Sequence, residues 1–182
     1  SRVLSIQRDI TQQKRREREY EQIFNGVNDA IAVHDSKTGE LLRVNETLCS
    51  ITGYDRETLL ERGAEGITVA TESFTPDRIP RIIERVADGE DVESYEQAIK
   101  TADGERRWLE VNPTSAVIDG EDRFLAISRD ITERRRRQRR LEAERDRRSV
   151  LFENTPDPIM AVEFVDGDPF ITEVNEAFEV AF

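Results

Sequence analysis

The spacing of apolar positions changes several times along the chain, and each change predicts a new element. Residues 12–22, Gln-Gln-Lys-Arg-Arg-Glu-Arg-Glu-Tyr-Glu-Gln, are strong helix formers without Gly or Pro, and Tyr20 and Phe24, four apart, share one side of that helix with Ile23 close by. After Asn28 the pattern becomes a short apolar run, Ala30-Ile31-Ala32-Val33-His34, closed by Asp35-Ser36-Lys37-Thr38-Gly39 and followed by Glu40-Leu41-Leu42-Arg43-Val44. Two such runs about a Gly-containing turn predict a hairpin. Asn45 suits the N-cap of a short helix carrying Leu48, Cys49 and Ile51, which Gly53 stops, and Asp55 suits the cap of a brief turn through Leu59 and Leu60. Thr75-Pro76 predicts a helix with Pro at its first position; Ile79, Ile82, Ile83 and Val86 then recur at the helical period until Gly89.

Three strand-like segments follow. Residues 93–101 hold Tyr95 and Ile99, residues 106–118 hold Trp108, Leu109, Val111 and Val117, and residues 123–128 form the last, with turns at Ala102-Asp103-Gly104 and Asp119-Gly120. Pro113, inside the middle segment, predicts a bulge or an unpaired position.

The chain also repeats itself. Arg8-Asp9-Ile10-Thr11 returns as Arg129-Asp130-Ile131-Thr132, and each copy opens a charged, helix-favouring run. Each run ends at a similar phrase, Ile23-Phe24-Asn25-Gly26-Val27-Asn28-Asp29-Ala30-Ile31 and then Leu151-Phe152-Glu153-Asn154-Thr155-Pro156-Asp157-Pro158-Ile159. A period of this kind predicts a tandem array. The expected organisation is the end of one unit and a connecting helix (1–21), a complete unit (22–132), an Arg-rich helical linker (133–150) and the front of a further unit (151–182).

The two connectors differ in a specific way. From Thr11 to Phe24 is 13 residues and from Thr132 to Phe152 is 20, a difference of seven, while Ile10 to Tyr20 and Ile131 to Leu141 are both ten apart. Seven residues are two helical turns and one coiled-coil heptad, so the longer connector keeps the face of the shorter one.

The order of elements, with its wording, resembles the PAS family of sensor domains and the PAC motif at its end. The matching words are Asn28-Asp29-Ala30-Ile31, Val44-Asn45, Gly53-Tyr54, Asp103-Gly104 followed by Arg107-Trp108-Leu109, Asp119-Gly120, and Asp130-Ile131-Thr132; Val174-Asn175-Glu176 echoes Val44-Asn45-Glu46 in the last segment. Each word alone is weak, and the six in this order over residues 22–132 carry the resemblance. It implies an α+β fold: a five-stranded antiparallel sheet, small helices over one face, a small-molecule pocket between, and long connecting helices at either end.

Alternation along the strands then sorts side chains to two faces. Compared with the light-sensing branch of the family, Ala32, His34, Ile99, Leu109, Val111, Phe124, Ala126 and Ser128 fall on the pocket side, opposite the helix bearing Ile79, Ile82 and Ile83, while Trp108, Leu125 and Ile127 fall outside. The outer group would form an exposed apolar patch unless the helix bearing Tyr20 and Phe24, from the same chain or a dimer mate, covers it. The resemblance argues against flavin, because Ile99, Leu109 and Ser128 stand where that branch uses amide side chains and Cys49 is on the wrong helix for its reactive cysteine. It argues against haem as well, since residues 76–88 hold no His. His34 is then either a satisfied core histidine or a ligand contact, and the aliphatic set either plain core or a cofactor box.

Charge sharpens the picture. The formal net charge is -12, and it is unevenly spread: residues 22–132 carry 12 basic and 23 acidic side chains, residues 133–148 nine basic and four acidic, and residues 149–182 eight acidic and no basic. Such acidic units repel nucleic acid and anionic membranes. With 24 Arg against 3 Lys, the composition points to a halophilic protein whose self-repulsion is screened by salt. The run Arg134–Arg140 offers a nucleic-acid contact as an alternative, but it lacks interleaved aromatics and is followed by Glu142, Glu144 and Asp146. A single Cys fits a reducing compartment, and no apolar run is long enough to span a membrane. Catalysis finds no support: the only His is on a strand, and no nucleophile triad, metal-spaced Cys/His cluster or phosphate loop occurs.

The expectation is therefore a cytoplasmic, non-catalytic sensory module that binds a small ligand or a partner and relays the change through the helix after the Asp-Ile-Thr word, with Asp130 taking backbone donors or an Arg and Thr132 capping the helix. A homodimer through the connecting helices and an output domain in the same parent protein complete it. The alternative is a ligand-free dimerisation or spacer module.

Overall fold

The computed structural model describes the backbone of residues 2–181 and the side chains of residues 12 and 14–181. These form two units, residues 1–132 and 133–182. In the first, helix α1 (Arg2–Gly26) leads into the hairpin β1 (Ala30–Asp35) and β2 (Leu41–Val44), the helices α2 (Glu46–Thr52) and α3 (Arg56–Ile67), a two-residue strand β3 (Thr68–Val69), helix α4 (Arg78–Ala87), and strands β4 (Tyr95–Lys100), β5 (Arg106–Ile118) and β6 (Glu121–Asp130). Helix α5 (Thr132–Glu153) follows.

The strands form one antiparallel sheet in the order β2-β1-β6-β5-β4-β3. The five expected strands are joined by a sixth, β3, whose Thr68 and Val69 pair with Ile99 and Ala98 at the sheet edge. Nothing in the polar stretch after Leu60 announces it, because a two-residue strand exists only through its partner.

Local signals account for most boundaries. Asn45 and Asp55 cap α2 and α3 by accepting the N–H of Leu48 and Thr58, and Gly53, at φ 73°, supplies the left-handed conformation that ends α2. The turn after Asp55 is longer than its apolar pattern predicts: α3 continues to Ile67 through a break at Gly63, whose φ of 64° and ψ of 175° suit glycine. Thr75-Pro76 forms a turn before α4, accepting from Arg78 and Ile79, so that helix starts two residues later than the proline suggests.

Pro113 makes no bulge. The β5–β6 register runs unbroken through Pro113↔Ala126, and Pro113 lies beyond the end of β4, whose last partner on β5 is Val111, so the missing N–H is tolerated on the open side. The irregularity lies in the first hairpin, between Val33 and His34.

The core lies on one face of this sheet. Leu41, Val44, Leu48, Leu59, Ile67, Ile99, Leu109 and Val111 form one buried cluster, and Phe74, Ile79, Ile82, Ile83, Val86 and Phe124 a second; Tyr95 and Ala126 touch both.

The second unit contains most of α5, then the hairpin β7 (Met160–Val165) and β8 (Asp168–Val174) and the short helix α6 (Glu176–Ala181). It repeats the first hairpin, including a register shift at the corresponding place, between Ala161 and Val162. Its strand side chains Met160, Phe164, Phe170 and Ile171 are exposed.

Candidate functional site

The strand pairing brings the expected inner-face residues together. Ala32 pairs with Ala126 and His34 with Phe124 across β1–β6, Val111 pairs with Ser128 across β5–β6, and Leu109 and Ile99 stand on the same face of β5 and β4. His34, Ile99, Leu109, Val111, Phe124 and Ser128 are all buried, and Ile79, Ile82 and Ile83 of α4 lie over this face. Tyr95, whose ring stacks on Phe74 at 4.7 Å, joins them, and burial pushes its hydroxyl pKa up to about 12. Beside it, Gln97 is buried on the same strand, and its Oε1 is the one buried side-chain polar atom without a partner among the described residues.

At the margin of this packed face lies a cleft of about 270 Å³. Its inner wall includes His34, Leu41, Leu60, Ile79 and Ile83, and the break at Gly63 forms part of its rim. His34 is only 2% exposed, its ring meets Phe124 edge-on at 5.5 Å, and its Nδ1 lies 3.0 Å from the carbonyl oxygen of Gly39. A carbonyl only accepts, so Nδ1 carries the proton and Nε2 is left as an acceptor. Burial holds the imidazole below its ordinary pKa of 6.5, outweighing the Gly39 bond, so the ring is neutral at pH 7.

Trp108, Leu125 and Ile127 are each half-buried. Tyr20 and Phe24 stack on one another at 5.6 Å, and Arg43, on the outer side of β2, lies over both rings at 4.9 and 5.3 Å. The end of α1 is thus fixed to β2 through a cation–π contact, and Ile23 stays 70% exposed.

Asn45 ties α1 to the hairpin. Its Oδ1 accepts from the backbone of Ile31 and Leu48, and its Nδ2 donates to the carbonyls of Phe24 and Asp29. Sequence patterning assigned it only the helix cap. The Val-Asn echo at Val174-Asn175 was the signal of a larger role, because Asn175 accepts from Ile159 and Phe178 and donates to Phe152, Thr155 and Asp157.

The Asp-Ile-Thr word forms a knot at the end of β6. Asp130 accepts the N–H of Thr132 at 2.8 Å through Oδ1 and the guanidinium of Arg107 at 3.3 Å through Oδ2. The Thr132 side chain also turns back to the sheet. Its hydroxyl accepts the N–H of Trp108 at 2.9 Å, while Ile131 donates to the Trp108 carbonyl, so Thr132 extends the sheet's hydrogen bonding and Asp130 performs the capping. One residue earlier, Arg129 grips Asp29 with two bonds of 3.0 Å, joining the last strand to the segment after α1.

A family model described as PAS fold matches residues 24–136, and another described as PAS domain matches residues 139–182. The chain belongs to the PAS family, whose members are sensory signalling modules. Among solved structures it is similar to the PAS domain of an HTR-like protein from Haloarcula marismortui, at 28% identity and a TM-score of 0.58 over 69% of this chain and 99% of that one. It is similar also to a domain of a sensory box sensor histidine kinase/response regulator from Geobacter sulfurreducens, at 26% identity and a TM-score of 0.50 over 63% and 94%. The PAS domain of a two-component sensor histidine kinase matches at 14% identity and a TM-score of 0.51 over 65% and 98%, and shows the fold alone. No curated protein matches the chain. No described helix is long and apolar enough to cross a membrane.

Proposed function

We propose that residues 22–132 form a non-catalytic sensor that binds a small ligand in the cleft beside His34 and relays its occupancy to α5. The supporting observation is the course of β6. Phe124, packed against the His34 ring, and Asp130, which holds the first turn of α5, lie on the same ten-residue strand. A ligand that shifts His34 presses on one end of a rigid element whose other end carries the outgoing helix. The inner-face residues Ile99, Leu109, Val111, Ala126 and Ser128 form the packed backing of the cleft rather than a flavin or haem cage.

The reading includes a cytoplasmic parent protein of the two-component type with an output domain, and pairing of two copies along the connecting helices. Ile23, Leu141 and Leu151 are exposed on those helices and available for such pairing. Within α5, Arg136 pairs with Glu133 and Gln138 with Glu142, which supports a solvated helix over a nucleic-acid site. The high Arg and acidic content supports a halophilic setting.

The test is native mass spectrometry of the purified protein, followed by hydrogen exchange of α5 with and without the retained molecule. A retained small molecule that alters exchange at residues 132–136 is expected. A protein that carries no molecule, and whose α5 exchange is indifferent to every added compound, is a spacer instead.

A further inference from the structure

The rim of the His34 cleft has a chemistry of its own. Glu40, Glu61 and Glu65 border it, all three exposed, and none takes part in an ion pair among the described residues. The one basic side chain on the rim, Arg62, is turned to the Tyr54 ring, with its guanidinium 5.0 Å from the centroid. No described group of acids converges closely enough to hold a metal ion. Deeper in, the walls are aliphatic, from Leu41, Leu60, Ile79 and Ile83. At the inner wall, His34 is neutral and only 2% exposed as a residue; its Nε2 takes no hydrogen bond among the described residues and, unlike Gln97 Oε1, is not sealed from solvent.

Resting on the ligand-binding reading above, we propose that the cleft selects a small organic cation: an apolar body the size of a single ring, a hydrogen-bond donor for Nε2 of His34, and an ammonium group held at the mouth by Glu40, Glu61 and Glu65. Three features converge on this class. Unpaired carboxylates around a low-dielectric opening concentrate positive charge there, and the surrounding unit, with 23 acidic against 12 basic side chains, adds a field of the same sign. The aliphatic walls exclude a strongly hydrated inorganic ion, which would have to shed water against groups that give nothing back. A volume of about 270 Å³ sits at the small end of ligand pockets and admits one ring with a short tail. An anionic ligand would meet three carboxylates against the single guanidinium of Arg62, which lies over the Tyr54 ring.

The test uses the whole chain and three probes of one shape and different charge: benzylammonium, benzyl alcohol and phenylacetate. Because His34 is the only histidine, its ring signals in an NMR spectrum report the cleft without assignment work. Benzylammonium is expected to shift those signals and to bind at least tenfold more tightly than benzyl alcohol at low salt, with phenylacetate weakest. Added salt should shrink the advantage. The doubly substituted variant Glu61→Gln, Glu65→Gln, which alters only exposed side chains, should reduce benzylammonium affinity about fivefold or more and leave benzyl alcohol unchanged. Equal binding of the cation and the alcohol, or a cation affinity indifferent to the double substitution, overturns the charge selection while the ligand-binding reading stands. Failure of all three probes to move the His34 signals overturns the proposal and counts against the cleft as a ligand site.

Discussion

Asn175 repeats the role of Asn45: in each unit the buried amide caps the helix that follows, accepts the N–H of the isoleucine that opens the hairpin, and donates to carbonyls at the end of the preceding helix. One side chain thereby fixes the incoming helix, the hairpin and the next helix to a common point. Fully satisfied polar groups of this kind specify geometry because every alternative arrangement leaves a buried group unpaired.

Asn45→Ala leaves the N–H of Ile31 and Leu48 and the carbonyls of Phe24 and Asp29 without their partner. The expected loss is about 3 kcal/mol for the first unit, measured by urea unfolding. Asn45→Asp keeps the acceptor and loses the donor, so about half that loss is expected. Equal effects of the two would show that the link to α1 adds nothing.

Thr132→Val keeps the side-chain shape and orphans the N–H of Trp108, at an expected cost of about 1–2 kcal/mol. Asp130→Ala removes the acceptor for Thr132 and the contact with Arg107. Those side chains are 26% and 35% exposed, so the ion pair itself adds no more than about 1 kcal/mol. Both variants should speed amide exchange in the first turn of α5 and leave Ile99 and Leu109 protected. Loss of protection in the core would make Asp130 part of the fold rather than of the relay.

His34 makes stability depend on pH from the acid side. Its pKa is lowered in the fold, so below 6.5 the unfolded chain takes up a proton that the folded chain refuses, and stability falls as pH drops from about 7 toward the lowered value. A further loss follows at lower pH as Asp35, Asp55, Asp77 and Asp103, all held below their ordinary range chiefly by hydrogen bonds, are forced to protonate. His34→Gln should abolish the first phase in unfolding measurements between pH 5 and about 7 and leave the second. Persistence of the first phase would assign it to another group.

Association through the connecting helices should rise with salt, since α5 carries a block of arginines that repel across a dimer. Light scattering at low and high salt should show this, and Leu141→Asp should suppress it. Deleting seven residues of α5 preserves the heptad face and should preserve the dimer. Deleting four rotates it by roughly 50° and should weaken association. Monomer at every salt concentration would remove the connecting helices as a dimer surface.

Much of this was legible beforehand where physics is local. The alternation of Ala32, His34, Phe124, Ala126 and Ser128 put them on one face, opposite Leu125 and Ile127, and the spacing of Ile79, Ile82, Ile83 and Val86 gave α4 one apolar side, while the resemblance to the PAS family implied which sheet face that helix covers. Asn45 and Asp55 announced their helices. The cleft was not legible, because it depends on a break at Gly63 within a helix whose continuation past Leu60 no periodicity showed. Nor was the Arg129–Asp29 pair, whose members are 100 residues apart in the chain and adjacent only once β6 lies beside β1.

The clearest division lies in the repeated four letters. Arg8-Asp9-Ile10-Thr11 lies within α1, whereas in Arg129-Asp130-Ile131-Thr132 the first two residues end β6 and the last begins α5. The sequence alone determined that both precede a helix, since the charged runs after them carry that propensity wherever they stand. That Asp130 ends a strand in the second copy follows from β5 lying beside it, with Trp108 offering backbone partners to Ile131 and Thr132. A strand's hydrogen bonds must come from another segment, while a helix supplies its own, and only the tertiary structure says which is at hand.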